Sequence, residues 1–178
     1  MKFDEDIYIE LKPILSKVSL ISSPPSNIYI NKKDSIAISL GAILAIIYAL
    51  DFFQIFSFNP IDIFSLIPAL SLEPGHFHRL VTAGWIHADW IHVLGNILVI
   101  ALVGVPLEQR LGAKRWMIIY VLGLLGGNLA WWGTHMDSLT PALGASGACF
   151  GLLGAYLACW PNDKIIFPLI FLIDLLLA

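Results

Sequence analysis

The run 144-GASGACFGLLGAYLACW-160 decides how the chain is read. No charged residue interrupts it, and Gly147, Gly151, Gly154 and Ala158 recur at helical spacing, so they share one face of an α-helix. A helix with so little bulk along one side lets a neighbour approach closely, which is how helices pack where water is absent. At its head stands a single hydroxyl, Ser146, between glycines.

The rest of the chain has the same character. Of its 178 residues 58% are hydrophobic and 13% charged, the latter about half the share of an average soluble domain, and mean hydropathy is +0.81. Apolar stretches near the length of a bilayer crossing, roughly 17 to 25 residues, lie at about 36–58, 90–107, 116–132, 145–160 and 165–178. The expected fold is therefore all-α, a polytopic membrane helix bundle with five crossings visible.

Residues 1–35 differ. Asp4, Glu5, Asp6, Glu10, Lys12 and Lys17 are interspersed with short apolar pairs, and 22-SSPPS-26 is a turn-rich linker. No basic start leads into an apolar core and a small-residue cleavage site, so this is read as a cytosolic tail rather than a signal peptide. The expected division is a tail and linker over 1–35 and a membrane domain over 36–178. Lys32, Lys33, Arg110, Lys114, Arg115 and Lys164 fall in alternate connections, while the loops at about 59–89 and 133–144 hold only Arg79. The positive-inside bias then puts the N-terminus in the cytoplasm.

Net charge is −3 and no basic run suits a phosphate backbone, so nucleic acid is not an expected partner. Cys149 and Cys159 are ten residues apart on one predicted helix, about 15 Å along its axis, beyond disulfide reach. Asp51 and Asp174 are too few for an ion path, and no internal repeat suggests a transporter.

Polar residues at membrane depth need a reason. In 85-WIHADWIHVLGNIL-98, His92 and Asn96 are four apart on one face, with His87 just upstream. One reading makes them hydrogen-bonding glue between helices. A metal site of His87, Asp89 and His92 is poorly matched, because the histidines are five apart and no further ligand stands near; no metal or other cofactor is expected. Ser146 alone would read as a helix N-cap. Together the groups suit acyl transfer, which needs a nucleophile, a base and donors for a developing oxyanion. His92, Asn96 and the Ser146 backbone N–H can supply such donors, and Gly144 permits an unusual turn beside them.

These residues resemble the rhomboid family of intramembrane serine proteases. The segment 78-HRLVTAGWIHADWIHVLGN-96 is similar to the family's W-R-x-x-T and H-x-x-x-x-H-x-x-x-N signature, with His78 where the family has Trp. The segment 107-LEQRLGAKR-115 is similar to its E-x-x-x-G stretch, and 144-GASG-147 to its G-x-S-G nucleophile motif. The resemblance implies Ser146 as nucleophile, His92 and Asn96 as oxyanion stabilisers, His87 as their support, and Arg79 and Glu108 as structural residues. It implies a six-helix core, transmembrane protein substrates, and a multi-pass location, with the plasma membrane as the expected site. The family's base is a histidine on the sixth core helix, and Gly147, Gly151 and Gly154 are expected to be the landing surface of that helix. No histidine follows His135, so the domain reads as incomplete at its C-terminus. The alternative implied by the missing base is a catalytically inactive relative that binds transmembrane clients.

Overall fold

A computed structural model of the chain describes residues 35–70 and 73–161. The predicted crossing at 165–178 and the tail before residue 35 lie outside the described residues. Those described are helical, with two apolar helices long enough to cross a bilayer, Trp90–Leu111 and Ala113–Thr134, and two shorter apolar ones, Ile36–Phe52 and Ser146–Cys159. At 1.5 Å per residue the 22-residue pair each reach about 33 Å, the thickness of the hydrocarbon core and slightly more. In chain order the helices are α1 (Ile36–Phe52), short α2 (Pro60–Phe64), short α3 (Arg79–Thr82), α4 (Trp90–Leu111), α5 (Ala113–Thr134) and α6 (Ser146–Cys159).

The first crossing is shorter than the apolar pattern predicts. Hydropathy carries on to Phe58, but α1 stops at Phe52; Gln54 takes a left-handed φ of 54° and the Ile55 N–H turns back to the Leu50 carbonyl. Asn59 and Pro60 then cap and open α2. Residues 53–58 are thus apolar without being helical, a distinction that hydropathy does not make. The loop that follows is held to α2 by side-chain hydrogen bonds. At its centre, the free carbonyls at the end of α2 are taken up by α3 and the residue before it. Arg79 Nη2 donates to Asp62 and Nη1 to Ser65, each at 2.7 Å, Thr82 Oγ1 donates to Phe64 at 2.9 Å, and His78 Nε2 lies 3.1 Å from the Ile63 oxygen. The motif H-R-x-x-T is therefore a clamp on a helix C-terminus, satisfying groups that an isolated helix leaves open.

Helix α4 is interrupted by a π-turn at Ile100–Gly104, closed by the Val105 N–H on the Ile100 carbonyl. Pro106 explains it: a proline has no N–H to give and its ring collides with the carbonyl four residues back, so the preceding turn widens. Gly112, at φ 81°, ends the helix and reverses the chain into α5.

Helices α5 and α6 meet along glycines. A Cβ on Gly127 would stand 2.8 Å from Gly147 Cα, and one on Gly151 2.8 Å from Gly123 Cα, so the two backbones touch directly. This corrects the expected use of the α6 stripe: Gly147 and Gly151 receive α5, and a Cβ on Gly154 would meet no described atom within 4 Å. Two-helix contact satisfies the stripe once both sides are stripped of bulk, and α5 is stripped at Gly123 and Gly127. The buried core between α1, α4, α5 and α6 is built from Leu40, Leu44, Ile100, Val103, Trp116, Leu152 and Tyr156.

Candidate active site

The site lies where the N-terminal ends of α4 and α6 come together. Asp89 caps α4, its carboxylate accepting from the His92 N–H at 2.8 Å; an Asp just ahead of an apolar run is a legible start signal. Ser146 is the first residue of α6 and not its cap. That place falls to Ala145, whose side chain offers nothing to the open N–H groups. The turn ahead of α6 is fixed by three backbone bonds: the Gly144 N–H donates to Ala83 at 2.8 Å, and Ala142 and Leu66 exchange a pair at 2.8 Å. Gly144 itself has φ 110°, and a Cβ there would strike the His92 ring, 2.5 Å from Nε2 and Cε1. Only glycine lets the turn and that ring lie together.

A cavity of about 500 Å³ opens beside this junction. Its polar rim includes Asp89, His92, Asn96 and Ser146, and its wall Val99, Cys149, Phe150 and Leu153. His92, Asn96 and Ser146 are thus gathered on one cavity although 50 residues separate Asn96 from Ser146 in sequence. Cys149, one turn after the serine, sits in the wall with its Sγ 3.6 Å from the Asn96 carbonyl; it and Cys159 are free thiols.

His87 is not on the cavity wall but behind it. Its Nε2 lies 2.9 Å from Asn96 Nδ2 and 3.4 Å from the Ala145 backbone nitrogen. A backbone N–H can only donate, so Nε2 is the acceptor, the proton is on Nδ1, and the Asn96 group facing it is the NH₂. Nδ1 is turned to the Trp85 backbone. His87 is 3% exposed, and that burial, helped by the neighbouring His92 ring, lowers its pKa to about 4. With one N–H spent on His87, the Asn96 amide keeps its second for the cavity. Ala145, whose N–H joins the turn to His87, is a residue that no motif would have picked out.

Arg79 and Glu108, both taken as structural, are placed away from this cavity. Arg79 clamps α2. Glu108, 1% exposed, caps α1: it accepts from Ser35 Oγ at 2.6 Å and from the Ile36 and Ala37 N–H groups at 2.9 and 3.0 Å. His135 ends α5 with its ring stacked on Trp131 at 3.8 Å, and it does not line the cavity.

The described helices thus form a membrane bundle in which the serine that opens α6 shares an apolar cavity with an imidazole and an amide. The chain belongs to the rhomboid family: the Rhomboid domain matches residues 74–178. It is 38% identical over 87 residues to "RHOMBOID-like protein 5" of Arabidopsis thaliana, covering 49% of this chain and 28% of that protein. It is 37% identical over 89 residues to "Putative rhomboid protease YdcA" of Bacillus subtilis, covering 49% and 44%, and 35% identical over 78 residues to "Rhomboid-related protein 2" of Mus musculus, covering 44% and 25%. The chain thus spans about a quarter to less than half the length of these curated relatives.

Proposed function

We propose that the chain carries the nucleophile and anion pocket of a rhomboid-type intramembrane serine endopeptidase, which hydrolyses peptide bonds of transmembrane proteins. One observation carries the reading: Ser146, His92 and Asn96 share a cavity whose far wall is apolar. Ser146 Oγ attacks the substrate carbonyl carbon, and the negative charge that develops on the carbonyl oxygen is met by the Asn96 N–H, the His92 ring and the Ser146 backbone N–H at the head of α6. Each such donor contributes roughly 10²–10³ in rate, and the positive end of the helix macrodipole adds to them. The tetrahedral adduct then collapses, expelling the amine, and water hydrolyses the acyl-serine.

The Ser146 proton must go to a base. Of the five histidines, His92 alone lines the cavity, and it is needed there as a donor. We therefore expect the 178-residue polypeptide alone to cleave slowly, by about 10²–10⁴ relative to a chain in which a base faces Ser146. A second reading is an inactive relative that holds transmembrane clients. Keeping Gly144 against the His92 ring argues for the protease, because a binder has no use for an anion pocket built to such tolerance.

In the proposed topology residues 1–35 are a cytosolic tail and 36–178 the membrane domain, with the N-terminus cytoplasmic and the plasma membrane as the expected location. It is supported by the opposite placement of the two ends of α4: Arg110, Lys114 and Arg115 gather at one, His92 and Asp89 at the other. The substrate bond then meets Ser146 near the outer surface. A fluorophosphonate probe on the reconstituted chain tests the reading. Labelling removed by Ser146→Ala supports the protease; client capture with no labelling, even after a histidine-bearing helix is added, would establish the binder instead.

A further inference from the structure

We propose that His87 is a positioning residue for the anion pocket: its unprotonated Nε2 holds both the Asn96 amide and the peptide N–H leading into Ser146, so that protonating the ring takes the pocket apart. The inference rests on the reading of Asn96 and the Ser146 N–H as oxyanion donors.

The geometry is that of two donors converging on a single lone pair. Asn96 Nδ2, from α4, lies 2.9 Å from Nε2, and the Ala145 nitrogen, from the turn before α6, lies 3.4 Å away. His87 is in neither helix, yet its Nε2 is a point at which donors of the two elements meet. Asn96 is 5% exposed and Ala145 0%, so apart from the cavity itself neither group has water to turn to. Without an acceptor at Nε2 the Asn96 amide is free to rotate, and the peptide before Ser146 loses its anchor. A misplacement of this kind, about 1 Å, is enough to cost about 10²-fold in rate.

Protonation converts the acceptor into a donor. The imidazolium Nε2–H would then point at an amide NH₂ and a backbone N–H, neither of which can accept in that orientation. Two titratable groups face His87. His92 meets it edge to face with ring centroids 5.0 Å apart and opposes a second positive charge; Asp89 favours one but already accepts from the His92 N–H. The opposing turn presents only Gly144, Ala145 and Ser146. Burial keeps the ring neutral until about pH 4, so the pocket is whole through the neutral range and comes apart in acid.

The test is ¹⁵N NMR of the full 178-residue chain in micelles, with histidine and asparagine labelled. His87 should show a protonated Nδ1 and an acceptor Nε2 from pH 8 to about 5 and titrate near 4, and the Asn96 NH₂ signals should move in the same step. His87→Gln keeps an acceptor that does not titrate, so the acid step in the Asn96 signals should vanish. Titration of His87 near its ordinary 6.5, an Nε2–H tautomer, or an acid step that survives in His87→Gln would each overturn the proposal. Fluorophosphonate labelling of Ser146 at pH 7 should stay within about threefold of wild type in His87→Gln and fall about 10²-fold in His87→Ala. Equal loss in both variants would overturn it too. Absence of labelling even after a histidine-bearing helix is added, with the NMR behaviour as expected, would count against the protease reading and leave the His87 placement standing.

Discussion

The two ends of α4 handle buried polarity in opposite ways. At the Leu111 end, Glu108 is surrounded by three donors from the start of α1, all within 3.0 Å, and nothing is left over for a ligand. At the Trp90 end, His87 collects two donors behind the wall while the second Asn96 N–H and the first-turn N–H groups of α6 remain uncommitted at the cavity. Saturation marks a polar group that holds the fold. Polarity that is oriented by a neighbour but left unspent marks one that acts on something else.

Four changes would break or sharpen that contrast. The largest effect should come from the saturated end. Glu108→Ala leaves a hydroxyl and two N–H groups without an acceptor and should destabilise by about 4 kcal/mol, measured by unfolding in mixed micelles; Glu108→Gln should lose about half as much. At the open end Asn96→Ala should act on chemistry more than on folding, lowering Ser146-dependent probe labelling by roughly 10²–10³ while stability falls by only about 1–2 kcal/mol. Stability losses matching those of Glu108→Ala would erase the distinction.

The third test is pH. His87 takes a proton at about 4 in the folded chain and near 6.5 when unfolded, so the unfolded state binds more protons between those values. Stability from this group is complete above about pH 6.5, declines as pH falls towards 4, and is constant below; the span corresponds to roughly 3 kcal/mol. His87→Gln should flatten that part of the stability–pH curve. The smallest effect separates two glycines of one stripe. Gly151→Ala drives a methyl into Gly123 and should cost about 1–3 kcal/mol, whereas Gly154→Ala, with no described atom in reach, should change stability by under about 0.5 kcal/mol.

Much of this could be read before the structure. Hydropathy found α1, α4, α5 and α6 because a bilayer helix leaves a long apolar signature, and the pairing of His92 with Asn96 followed from helical spacing. What was not legible depended on distance along the chain or on backbone shape. The end of α1 at Phe52 is set by a turn at Gln54, which hydropathy does not register. Small residues such as Gly147 and Gly151 advertise that something packs on them without saying what, so α5 cannot be told from a later helix by the stripe alone. Glu108 could be recognised as structural, yet its partners Ser35–Ala37 lie more than 70 residues away. His87 and Asn96 are nine apart across a helix start, a spacing that no periodic template pairs.

The π-turn has one more consequence, concerning phase. In an unbroken α-helix the 12 steps from Asn96 to Glu108 would turn them roughly 120° apart, and one of the two would face lipid. The turn at Ile100–Gly104 absorbs one extra residue, which takes back roughly 100°, and both side chains are indeed interior, at 5% and 1% exposure. Helix α4 therefore carries one residue more than its register requires. A chain shortened by one residue within 100–104 would keep the cavity half and the anchoring half aligned, whereas the same deletion between 90 and 96 would swing Asn96 off its bond with His87.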